Sequence, residues 1–148
     1  ANAKRLTLAG AEQMCATAIA AAQTQGLAVC VVVADSGGHV ILAKRMDGGR
    51  FHTMHSATTK AVTAASNRRI TTSKGAVGQD LDTAHALGLA LAAGAERWTA
   101  MEGGAPVIFE GECIGGVGVS GGSWSADAAL AQAAVEAIGA TVQLDPKQ

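Results

Sequence analysis

"GVGVSG", residues 116–121, fits the spacing G-x-G-x-x-G of a dinucleotide-binding turn, and its reading decides the fold. A true turn of that kind follows a strand and opens a helix. It then needs a second, parallel strand and an acidic residue about 20 residues on. Here the run sits inside a longer strand-like stretch, "ECIGGVGVS" at 112–120, so Gly116 and Gly118 fall within the strand rather than past its end. A helical pattern, "SADAALAQAAVEAIG", occupies 125–139; after it nine residues remain, with no apolar run among them. No βαβ unit can be completed, and neither a nicotinamide nor a flavin dinucleotide is expected.

Strict alternation along 112–120 places Ile114, Gly116, Gly118 and Ser120 on one face and Cys113, Gly115, Val117 and Val119 on the other. The first face is nearly bare. Glycine inside a strand marks the close approach of a backbone or a ligand. Two readings stand: a helix packs tightly there, or the face is the floor of a pocket. Beyond the strand, Gly121, Gly122 and Ser123 lead into the last helix. Its free N–H groups and dipole suit a carboxylate or phosphate, unless Ser123 or Ser125 and Asp127 already serve them.

Outward from this strand the pattern is regular. "APVIFE", 105–110, pairs with it as a hairpin around Gly111. "LAVCVVVAD", 27–35, and "HVILAKRM", 39–46, form a second hairpin around the glycine turn at 36–39. Helical periods run through the segment that starts at Leu8, with Thr7 as N-cap and Gly26 as C-cap, through 50–69, and through 80–94, where Asp80 or Asp82 caps. The tail from Thr141 reads as frayed. The order α-β-β-α-α-β-β-α, with strands in hairpin pairs, is α+β: one antiparallel sheet with helices packed on it.

Composition narrows the function. One domain's length, 148 residues, carries 49% hydrophobic and 16% charged residues with a net charge of −1, which excludes the basic footprint of a nucleic-acid binder. No apolar run reaches the length of a membrane span, about 20 residues, and the N-terminus shows no signal-peptide pattern. Cys15, Cys30 and Cys113 are odd in number and form no C-x-x-C, so they read as reduced thiols of a cytoplasmic protein.

Four stretches in order, "VVVADSGGHVILAKRMDGG", "ATTKAVTAASNR", "GGAPVIFEGECIGGVGVSGG" and "DAALAQAAVEAIG", resemble the GlcG/HbpS family, also described as haem-degrading or PduO C-terminal-like domains. The resemblance runs from about residue 6 to 140. It implies a single domain, similar to profilin-like folds, with a central antiparallel sheet of about five strands, and assembly as homo-oligomers from dimer to octamer. It also implies a small-molecule ligand, with haem among the candidates. Asp35 and Gly38 fall on the family's D-x-G-G turn, Arg45, Met46, Asp47 and Gly48 on R-M-D-G, Lys60 on A-x-x-K-A, and Gly121 and Gly122 on S-G-G. The chain departs from the pattern with "FHTMHS" before Lys60 and with Trp124 before the last helix.

His52 and His55, spaced i, i+3, share a helix face and suit a haem or metal ligand, or a proton carrier near neutral pH. Two histidines do not complete a zinc site; His39, His85, Asp47 and Glu102 are the candidates for a third ligand. Lys60 suits a carboxylate or a Schiff base. Arg45 and Arg50 suit a carboxylate clamp, and Met46 a soft axial ligand. Three functions follow. The first is a haem or tetrapyrrole binder through His52 or His55. The second is a cofactor-independent isomerase, tautomerase or hydratase, with His52, His55 and Lys60 as catalytic groups. Its substrate is a small carboxylated or carbonyl catabolite, held by Arg45, Met46, Asp47, Gly121, Gly122, Ser123 and Trp124. The third is a non-catalytic assembly module.

Overall fold

A computed structural model describes residues 3–75 and 77–144. Helix α1 is Leu8–Thr24, strands β1 and β2 are Cys30–Asp35 and Val40–Arg45, α2 is Phe51–Asn67 and α3 is Thr83–Ala93. Strands β3 and β4 are Gly104–Phe109 and Glu112–Ser120, and α4 is Trp124–Ala137. The expected element order holds. Thr7 caps α1 by accepting from the N–H of Gly10, and Gly26 leaves it in a left-handed conformation (φ 71°) that glycine adopts without strain. The β1–β2 turn is built by Asp35, whose Oδ1 accepts from the N–H groups of His39 (3.0 Å) and Gly37 (2.9 Å). Those bonds, that from His39 foremost, hold its carboxyl below the usual range.

The sheet is antiparallel throughout, in the order β2-β1-β4-β3. Helices α1 and α4 pack on one face and on each other, while α2 packs on the opposite face. The first layer buries Met14, Val31, Val33, Val117, Val119 and Leu130. The second is thinner, with Cys30, Val32, Ala34, Ala57 and Ala61. Its thinness answers the question of the bare strand face. A Cβ at Gly118 would collide with the carbonyl oxygen of Ala57, and one at Gly116 with that of Ala61, so the glycines let α2 lie directly on the backbone of β4.

Three expectations are corrected. Among the described residues the sheet has four strands, not about five. A fifth segment is reduced to one bridge, in which Thr141 and Ile108 exchange both backbone hydrogen bonds (2.8 and 2.9 Å) along the edge of β3. The start of the tail is thereby docked rather than frayed, and the rest of it, from 145, lies outside the described residues. Strict alternation also fails near the start of β4. The register against β3 shifts between Val107 and Ile108, with Ile108 opposite Cys113 and Val107 opposite Gly115. Ile114 is the extra residue of a bulge. It joins the α1–α4 core, while the Cys113 thiol faces the Ala65 carbonyl of α2.

Candidate functional site

The sheet pairing gathers most of the candidate residues at one end. Cys30, the first residue of β1, pairs with Arg45 at the end of β2 and with Ser120 at the end of β4. The R-M-D-G stretch, the start of α2 and the 121–124 turn therefore leave the sheet at the same end. Gly48 and Gly121 both lie against Ala28, and Cys30 Sγ is 3.2 Å from the Thr53 hydroxyl in the first turn of α2.

At this end α2 presents His52 and His55, both exposed. Phe51, on the same surface at i, i+4 to His55, is 72% exposed, and its ring stands edge-on to His52 with centroids 6.1 Å apart. Trp124, first residue of α4, is 70% exposed. Two imidazoles and two large apolar rings thus stand in solvent around the end of the sheet. Arg45 and Asp47 are exposed as well, and with Met46 they line a depression of about 530 Å³ against Ile19 and Gln23 of α1. The Met46 sulfur accepts the N–H of Val29 (3.4 Å), which ties the side chain to the residue just before β1.

Lys60 does not join this exposed patch. It is 2% exposed, and its ammonium donates to the carbonyl of Val119 (2.9 Å) and lies 3.4 Å from Asp127 Oδ2 in α4. The side chain reaches from one helical layer to the other through the space at Gly103, where a Cβ would stand 2.9 Å from its Nζ. Burial pushes the lysine down from its ordinary value, with Asp127 opposing. It pushes the Asp127 carboxyl up, with the N–H of Gly122 and then Lys60 opposing. The lysine is a tie between layers, and a Schiff base at Nζ would first require breaking it.

The helix-start turn is also engaged from within. Asp127 Oδ1 accepts the N–H of Gly122 (2.9 Å) and Ser123 Oγ that of Ala126 (3.1 Å). The anion that the turn suits is the chain's own Asp127, at the positive end of α4. The sequence assigns this residue to the helix dipole alone. Its signal was its place on the buried stripe of α4 with Leu130, Ala131 and Ala134, because a carboxylate there requires a partner. The other ligand candidates are dispersed. His39 lies in the β1–β2 turn at the opposite end, and His85 hydrogen-bonds Asp82 at the start of α3. Among the described residues no three His, Cys, Asp or Glu side chains gather at one point.

Fold and site together define a small α+β domain with a helix-sheet-helix core and ligand-competent side chains clustered at one end of its sheet. A family model described as "Haem degrading protein HbpS-like" matches residues 6–136, and the chain belongs to that family. It is 36% identical to Protein GlcG of Escherichia coli K12 over 113 residues, which cover 74% of this chain and 79% of GlcG. Among solved structures it is similar to the Klebsiella pneumoniae protein ORFY, with a TM-score of 0.81, 36% identity and 94% of each chain covered. It is similar also to PduOC, solved as a haem complex, with a TM-score of 0.81, 26% identity, and 95% of this chain and 99% of that one covered.

Proposed function

We propose that this protein binds haem or a related tetrapyrrole at the end of the sheet where α2 begins, with the imidazole of His52 or His55 as the axial donor. The observation that carries this reading is the pair of exposed imidazoles one helical turn apart, with the exposed ring of Phe51 beside them. Histidine is a common axial ligand of haem iron, and an aromatic ring supplies a flat apolar contact for a macrocycle. Trp124 offers a second such ring, and Arg45 and Arg50 offer guanidinium groups for carboxylate side chains of the ligand. Membership of the HbpS-like family and the similarity to PduOC, solved with haem, support the reading. Haem, when bound, supplies a redox-active iron; the chain's own part is to hold and orient it. We infer further that the protein acts in the cytoplasm, which its three unpaired thiols support, and as a homo-oligomer.

Titration of the purified protein with haemin tests the ligand. The expected result is a saturable Soret shift that His52→Ala or His55→Ala abolishes while circular dichroism stays unchanged. The reading fails if haemin binds no better than to an unrelated protein of similar size, or if both variants titrate like the wild type.

A further inference from the structure

Helix α3, Thr83–Ala93, has no buried residue and touches no other helix or strand of the chain among the described residues. Its sequence, "TAHALGLALAA", is apolar almost all round, and Leu87, Leu89 and Leu91 are 57%, 44% and 79% exposed. A helix that is apolar on every side is normally covered, and one of 11 residues is too short to hold its shape in water by propensity alone. It is also about half the length of a membrane span and lacks the polar face of a helix lying in a lipid interface.

We propose that α3 is covered by α3 of a second copy of this chain, the two helices packing antiparallel about a two-fold axis at Gly88. This names a surface for the self-association inferred above and rests on that reading.

Gly88 carries the argument. It is the central residue of α3, where glycine costs about 1 kcal/mol relative to alanine. Among the described residues a Cβ added there would meet nothing within 4 Å, so no contact with them requires glycine. Close approach of something outside the chain does. Ala84 and Ala92 lie one helical repeat to either side and extend the flat strip along the helix. An antiparallel crossing at Gly88 is self-complementary, as a two-fold interface must be. It also pairs charges. Asp82, which already accepts from His85 of its own helix, comes to Gly94 beyond the end of the other helix, where the Arg97 Cδ of that copy lies beside Gly94. The symmetry repeats this acid–base pair, and the helix dipoles oppose.

The test is disulfide trapping in a Cys113→Ser background, since Cys15 and Cys30 are buried. Gly88→Cys places a thiol at the axis with no clash inside its own chain, and the close crossing brings the two thiols within disulfide reach; Ser66→Cys, exposed on α2, is the control. The expected result is covalent dimer from Gly88→Cys at least tenfold faster than from the control. The wild type should then sediment above monomer mass, and Leu87→Glu/Leu91→Glu should associate at least tenfold more weakly. Association of the wild type with no preferential trapping at Gly88→Cys overturns the α3 surface alone. Monomeric behaviour at about 100 µM overturns self-association too, as does recovery of a monomer with phospholipid vesicles.

Discussion

The two central helices of this chain reverse the usual relation between composition and burial. Helix α2 carries Thr, Ser, His, Lys and Asn along its length, and it buries seven residues, Lys60 and two threonines among them. Helix α3 is almost wholly apolar and buries none. The difference lies in what each meets. Helix α2 meets a strand stripped of side chains at Gly116 and Gly118, so its small residues reach the backbone of β4, and its polar groups find partners there and beyond. Thr63 Oγ donates to the carbonyl of Thr59 and accepts the N–H of Thr99. Among the described residues, helix α3 meets no helix or strand of its own chain. Fit decides burial for α2, and apolarity without fit leaves α3 for another surface.

The largest way to break the buried side of this contrast is to remove Lys60. Lys60→Met leaves Asp127 buried without its ammonium, which costs about 3–5 kcal/mol by urea denaturation at neutral pH. The pH dependence identifies the cause. Burial already raises the Asp127 carboxyl, and losing the lysine raises it further. A carboxyl raised in the folded state holds its proton there at pH values where the unfolded chain, titrating near about 3.9, has released it. The stability of the variant relative to wild type is therefore greatest in acid and falls as pH rises through the raised folded value. Lys60→Met/Asp127→Asn removes the charge, keeps an acceptor for the N–H of Gly122, and is expected to recover most of the loss without that slope. A loss independent of pH and unrelieved in the double variant would show that Lys60 acts only by filling space.

Gly118 and Gly88 sharpen the same contrast with one substitution in two places. Gly118→Ala drives a methyl group into the Ala57 carbonyl and should cost about 2–3 kcal/mol, read as a shift in the urea midpoint at constant slope. Gly88→Ala enters open space and should raise helix content with no loss of monomer stability. If both substitutions cost the same, neither close approach on β4 nor freedom on α3 is real.

What the sequence discloses follows the same division. The ends of β4 are legible because apolar alternation and the glycine turns bounding it are local signals. The packing of α2 on β4 is half legible: the bare face is visible, its occupant is not, since a glycine records proximity without naming the neighbour. The bulge at Ile114 leaves no mark, because one extra residue turns a side chain to the other face without changing composition. The Thr141 bridge is one residue long and has no period to detect. Among the site residues, His52 and His55 are legible as a pair from helical spacing. The position of Lys60 is not, because lysine is ordinarily exposed and its partner lies 67 residues away. Asp127 is legible only as a dipole partner at the start of α4; that it ties to Lys60 is not.

The smallest effect compares the caps of a packed and an unpacked helix. Ser123 caps α4 by accepting from Ala126 (3.1 Å), and Asp82 caps α3 by accepting from His85 (2.8 Å). The bonds are alike, but α4 carries part of the core and α3 carries none. Ser123→Ala should therefore lower global stability by about 1 kcal/mol, because α4 cannot fray without exposing Leu130 and Val135. Asp82→Ala, studied dilute enough to keep the chain monomeric, should leave the urea midpoint unchanged while amide exchange in α3 accelerates, since α3 opens without the rest. Concentrating that variant should restore protection in α3 if a second copy covers it. Equal loss of global stability from both caps would mean that α3 is tied to the body of its own chain.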